Sequence, residues 1–198
     1  MLQRLVTSAI TTILLLVLVH DAFAQGPPCK PDCPGDNWSN PVSIVTLTIN
    51  GCSVDIHYRT RFACSTYHDV YIERVVANGV NCAGVVPDWS VFMHQVALAL
   101  ILANPMGFPP STNGTCEDTW RISKGNCWAV DVVGGVGEFG NPQSHLAPCT
   151  SAACCLERFE VCLDANGVRR TTFQGNAPQP CPSGTPSHCF PVCNVGGR

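Results

Sequence analysis

Between residues 55 and 61 polar side chains fall on alternate positions, as Asp55, His57, Arg59 and Arg61. In an extended strand such residues share one face, because successive side chains point to opposite sides. Tyr71 and Glu73 recur at the same spacing in the next apolar run, with His68-Asp69 at the turn before them. The two arginines could hold an anion, and His57 or His68 with Asp69 could run acid–base chemistry. The plainer alternative is a solvated sheet face on which Arg59 and Glu73 pair. A dispersed acid–base pair could also draw on Asp55, Asp131 and Glu138, since catalytic residues need not be neighbours in sequence.

Fourteen cysteines form the second constellation: Cys29, Cys33, Cys52, Cys64, Cys82, Cys116, Cys127, Cys149, Cys154, Cys155, Cys162, Cys181, Cys189 and Cys193. Their chemistry depends on compartment, and residues 1–24 read as an export signal. Arg4 precedes an apolar run from Ile13 to Val19, and Ala22-Phe23-Ala24 is a small-x-small cleavage site, so the mature chain is expected to begin at Gln25. Export to an oxidising setting makes an even cysteine count a disulfide framework. Cys29/Cys33 and Cys189/Cys193 have spacings that zinc knuckles also use, and His188 adjoins Cys189. No compact second ligand pair accompanies them, so neither a metal nor another cofactor is assigned. Adjacent Cys154 and Cys155 should point to opposite faces of a strand and bond different partners.

Other motifs lack their context. No Gly-x-Ser-x-Gly elbow or Cys-x-x-Cys occurs. Gly135-Val136-Gly137-Glu138-Phe139-Gly140 carries the letters of a dinucleotide fingerprint, but Asn141-Pro142 prevents the helix whose N-terminus would hold pyrophosphate. Charged residues are 13% of the chain and the net charge is −3, which argues against nucleic acid or anionic membrane as partners. Val96 to Ala103 is the best apolar run after the signal, far shorter than the roughly 20 residues of a spanning helix. No membrane span is therefore expected in the mature chain. Asn37-Trp38-Ser39 and Asn113-Gly114-Thr115 fit the glycosylation pattern.

The elements that must position these residues begin with a hairpin. Asn50-Gly51 between two alternating runs calls for a two-residue turn, which sets Ile49, Leu47, Val45 and Ser43 opposite Cys52, Val54, Ile56 and Tyr58. A second turn near Ser65 to Tyr67 would return the chain with Phe62 against Val70, Thr60 against Ile72 and Ile56 against Val76. That register sets Arg59 opposite Glu73 but points Arg74 inward. Asp88 to Asn104 reads as one buried helix, capped by Asp88 and ended by Asn104-Pro105. Two more hairpins are expected: 116–123 with 127–133 around Lys124-Gly125-Asn126, and 155–163 with 168–174. In the latter an Ala165-Asn166-Gly167 loop aligns Phe159 with Phe173 and Val161 with Thr171.

The expectation is an α+β fold: antiparallel sheets from about three hairpin or meander units and one buried helix near 88–104, disulfide-rich. Residues 25–198 would form a single domain with Pro/Gly-rich arms at 25–36 and 175–198. Cys52 with Cys82 is the first disulfide expected, across the open end of the meander. The function expected is a secreted, non-catalytic binding, adhesive or structural surface module whose partner is an extracellular protein or glycan. Its partner surface would be Asp55, His57, Arg59, Arg61 and Glu73, with Glu138, Phe139 and His145 from a loop spanning 134–153. A secreted hydrolase is the alternative, and a protease inhibitor using the loop from Pro105 to Cys116 is a second.

Overall fold

A computed structural model describes residues 29–79, 82, 88–133, 143–149, 154–176 and 180–193. The expected export signal, Glu138 and Phe139 lie outside these residues. The described residues are mostly sheet, with nine strands among them: β1 (Ser43–Ile49), β2 (Cys52–Ala63), β3 (Tyr67–Asn78), β4 (Cys116–Gly125), β5 (Cys127–Val133), β6 (Gln143–Pro148), β7 (Cys154–Leu163), β8 (Arg169–Asn176) and β9 (Phe190–Pro191). The helix α1 (Trp89–Ala103) lies between β3 and β4.

The first hairpin follows the turn chemistry. Asn50 and Gly51 have φ of +52° and +80°, as a type I′ turn requires, and the pairs Ile49–Cys52, Leu47–Val54, Val45–Ile56 and Ser43–Tyr58 form. The second pairing departs from expectation. The turn at Cys64–Thr66 starts earlier, so Phe62 opposes His68, Thr60 opposes Val70 and Tyr58 opposes Ile72. A bulge at Glu73 then shifts the ladder by one, and Ile56 opposes Val75 while His57 opposes Arg74. The extra residue turns Arg74 off the apolar face, which resolves the inward arginine that an unbroken register would require.

The bulge coincides with a fork in the sheet. One edge of β3 pairs with β2 throughout. Its other edge pairs in parallel with β4 over His68–Ile72, then antiparallel with β6 over Val75–Asn78. Glu73 and Arg74 sit between the two partners. One branch continues β4–β7–β8 and the other β6–β5–β9. The architecture is therefore a mixed sheet, and three separate hairpin units are not what forms. In particular β4 and β5 do not pair, because β3 and β7 occupy both edges of β4. Asn126 instead carries the chain across the fork, where Trp128 Nε1 donates to the Gly125 carbonyl at 2.7 Å. The β7–β8 hairpin does form, with Gly167 at φ +78°, Phe159 opposite Phe173 and Val161 opposite Thr171.

Asp88 caps α1, its Oδ1 accepting from the Ser90 and Val91 amides at 2.7 and 3.2 Å, and Asn104 ends it in the left-handed region. Phe92, Met93, Val96, Ala97, Leu100 and Ile101 are buried against Ile56, Val70, Ile72, Ile122 and Phe159. This single core spans both sides of the fork. The second half of the helix is apolar all round, yet only one face is covered and Leu102 is 47% exposed.

Seven disulfides fasten the elements: Cys29–Cys154, Cys33–Cys64, Cys52–Cys82, Cys116–Cys162, Cys127–Cys181, Cys149–Cys189 and Cys155–Cys193. Adjacent Cys154 and Cys155 hold an N-terminal and a C-terminal segment on opposite sides of β7. Residues 180–193 are tied at Cys181, Cys189 and Cys193, and their Phe190–Pro191 extends the sheet as β9.

Candidate functional site

The sheet face opposite α1 carries the alternating polar row, and this outer face is divided in two. On one half the segment Cys29–Asn40 lies against Arg59, Arg61, Tyr71 and Arg121. Asp69 is 1% exposed and receives both guanidiniums: Arg61 Nη2 at 2.8 Å and Arg121 Nε at 2.6 Å. Asp32, from the segment itself, accepts a two-pronged pair from Arg121 at 2.7 and 2.9 Å. Arg61 also donates to the carbonyls of Asp32, Cys33 and Asp36. Trp38 stacks on Arg61 and Tyr67 on Arg121, with the guanidinium carbons 4.5 and 3.9 Å from the ring centres.

These contacts set the electrostatics. The Arg121 hydrogen bond holds the Asp32 carboxyl below its usual range, against its partial desolvation. Burial opposes the charge on Arg121, but hydrogen bonds to Asp69 and Asp32 outweigh it and raise its pKa. Burial beneath Trp38 pushes the Tyr71 hydroxyl up to about 12. Arg59 turns to Glu73 at 2.8 Å and to the Ser39 carbonyl at 3.0 Å. Arg59, Arg61 and Asp69 therefore all serve internal contacts.

No described segment lies over the other half. The register carries Ile44, His57 and Arg74 across β1, β2 and β3, and in the next row Asp55, Val76, His145 and Asp131 across β2, β3, β6 and β5. Asp55 is held by the Thr46 hydroxyl at 2.6 Å and the Asn78 amide at 2.9 Å, and the Thr46 bond keeps its carboxyl low. His57 Nε2 lies 3.4 Å from Arg74 Nη2. Partial burial, then the Arg74 charge, depress the His57 pKa, with a smaller effect of the same sign from His145. Arg74 makes no ion pair among the described residues, and its buried Nε has no hydrogen-bond partner there.

The remaining candidates are dispersed. His68 and Asp69 are sequence neighbours on opposite faces of β3. The His68 ring packs between Phe62 and Phe108, with centroids 5.2 and 4.9 Å away, and burial depresses its pKa. His145, expected in a loop, is a strand residue of β6. That strand escaped the sequence reading because Gln143-Ser144-His145-Leu146-Ala147-Pro148 lacks β-branched residues. The loop from Pro105 to Cys116 is anchored in its first half, where Trp120 Nε1 donates to the Pro109 carbonyl at 2.5 Å, and Ser111–Cys116 are exposed. Asn37 and Asn113 are also exposed. His188 approaches Cys149 and Cys189, but those sulfurs bond each other, which leaves one imidazole for any metal.

Sequence reasoning missed a cluster on the core face. Lys124 Nζ lies 2.6 Å from Glu157 Oε1, and both side chains are fully buried. His94 of α1 places Nδ1 3.4 Å from Glu157 Oε2, within ion-pair range but off line for a hydrogen bond, and its ring stacks on Phe159. Burial works against the Glu157 charge, yet Lys124 and His94 hold its carboxyl below the usual value. The signal was present, since Lys124 and Glu157 keep the strand period of Trp120-Ile122 and of Cys155-Phe159-Val161.

Comparison with protein-family models, with curated proteins and with solved structures returns no match.

Proposed function

We propose that the chain is an exported, disulfide-locked, non-catalytic binding module, and that the half of its outer face with no described segment over it meets the partner. The observation that carries this reading is the division of that face. The Cys29–Asn40 segment seals one half, while the other presents side chains from β1, β2, β3, β5 and β6 with no described segment above them. Seven disulfides and no free cysteine among the described residues suit an oxidising exterior. No described helix is long and apolar enough to cross a membrane. Binding of the oxidised, processed protein to arrays of extracellular glycans and matrix proteins tests the reading. Binding lost on replacing His57 and His145 together is the expected result, and an array without a single hit would overturn it.

One observation favours a secreted hydrolase as second reading: Asp131 is directly opposite His145 on the same face as His57, so the strands bring an acid and two imidazoles near one another. Turnover of a peptide, ester or glycoside substrate that disappears in His145→Ala would establish that reading in place of the module.

A further inference from the structure

The other arginines that face the outer side from β2 and β4 each have a carboxylate. Arg59 has Glu73, Arg61 has Asp69, and Arg121 has Asp69 and Asp32. Arg74 has none among the described residues, although its Nε is withdrawn from water without a hydrogen-bond partner. A half-buried guanidinium in that condition is costly unless an acceptor reaches it. Its position is imposed by the bulge at the fork, where β3 changes partner from β4 to β6, so it does not swing freely on a surface stem.

What surrounds Arg74 defines the acceptor. His57 is 3.4 Å away, and His145 is near enough to disfavour protonation of His57. The acidic neighbours among the described residues are engaged elsewhere: Asp55 with Thr46 and Asn78, Glu73 with Arg59. Asp131 lies beyond His145 on β5. Apolar surface borders the group at Ile44, which is 61% exposed and opposite His57. One unmatched fork of donors suits one planar or tetrahedral oxyanion. A polyanion would meet only one unmatched cation here and a chain of net charge −3. Imidazoles that can bond hydroxyls, beside exposed Ile44 to cover C–H surface, suit a sugar ring carrying that anion.

We propose that Arg74, with His57 and His145 beside it, is a binding site for the single carboxylate or sulfate of an acidic sugar. The inference rests on the reading of this face as the partner surface and assigns its ligand class. An oxyanion on Arg74 also favours the imidazolium of His57, so affinity rises as pH falls through the range where His57 takes up its proton, below its ordinary 6.5.

The test uses the full processed protein with its disulfides intact and histidines isotopically labelled. His57 is titrated by NMR at constant ionic strength with glucuronate, glucose 6-sulfate, inorganic sulfate and, as reference, chloride and neutral glucose. Saturable shifts with the acidic sugars, an upward move of the His57 pKa on saturation, and at least tenfold weaker binding in Arg74→Gln are expected. Arg74→Lys, which keeps charge without the fork, should bind weakly in the same assay. Saturation by inorganic sulfate as tight as by either sugar would overturn the sugar assignment, and shifts no different from chloride would overturn the site. If Arg74→Gln no longer folds, as judged by its thermal transition, the His57 pKa with and without glucuronate in the parent protein decides alone. Array binding that survives Arg74→Gln would leave the binding module standing while removing the oxyanion site.

Discussion

Arg59 and Glu73 form a 2.8 Å ion pair although the ladder does not place them opposite each other. Arg59 opposes Tyr71, and Glu73 is the unpaired residue of the bulge. The pair therefore closes diagonally over the point where β3 changes neighbours. A two-residue error in the expected register and the one-residue bulge nearly compensate, which is why a pair read from an incorrect alignment still exists.

Glu73→Gln should cost about 1 kcal/mol, the usual scale for weakening one half-buried pair. Deleting Glu73 should cost several-fold more. Removing the bulge turns Arg74 and every following side chain of β3 to the other face, so Val75 and Ala77 leave the core. Thermal unfolding of the two variants, with disulfides intact, measures the contrast; equal losses would mean that the bulge is not what orients Arg74.

Lys124 and Glu157 are matched inside the core, and either alone is a buried charge. Lys124→Met and Glu157→Leu should each destabilise by about 3–5 kcal/mol, whereas the Lys124→Met/Glu157→Leu double variant should lose much less than the sum. A double-mutant cycle by denaturant unfolding gives the coupling directly. Additive losses would show that the 2.6 Å contact contributes nothing specific.

Asp69 neutralises two guanidiniums that also hold the Cys29–Asn40 segment. Asp69→Asn should cost about 3 kcal/mol or more and loosen that segment, because Arg61 and Arg121 are then left partly unmatched. Limited proteolysis should detect new cleavage between Cys33 and Asn40 in the variant and none in the parent. Asp32→Ala should produce the same cleavage pattern with a smaller loss of stability, since Asp32 is 43% exposed and Asp69 keeps both arginines partnered.

Acid should weaken the fold through Glu157. Its folded-state pKa lies below the ordinary 4.5, so its contribution is fully present above about pH 4.5 and is lost as pH falls through the depressed value. Asp32 and Asp55, both held below 3.8, act with the same sign at lower pH. Thermal midpoints measured from pH 7 to pH 2 should decline below about pH 4.5. Glu157→Gln should flatten the upper part of that decline, and an unchanged slope would assign it to other carboxylates.

What the sequence determined by itself was local. Asn50-Gly51 specified a turn whose two positive φ angles only a few residues accept, and that turn set the β1–β2 pairs one by one. Asp88 and Asn104 marked both ends of α1 through hydrogen bonds within a few residues of each terminus. Gly167 did the same for the β7–β8 loop. The alternation of Asp55, His57, Arg59 and Arg61 correctly placed them on one face, because side-chain direction in a strand is a property of the strand.

Only the tertiary structure decided which neighbour each strand takes and what covers each face. β4 could have folded back on β5 by its local pattern, but β3 and β7 compete for the same edges and bury Trp120, Ile122 and Phe159 in doing so. Arg61 and Arg74 look alike as charged strand residues. One is sealed by a segment held through Cys33–Cys64 and Asp32, while the other is turned out by a bulge at the fork. Backbone hydrogen bonds between strands do not depend on side-chain identity, so partner choice comes from burial summed over the whole sheet, which no local window of sequence contains.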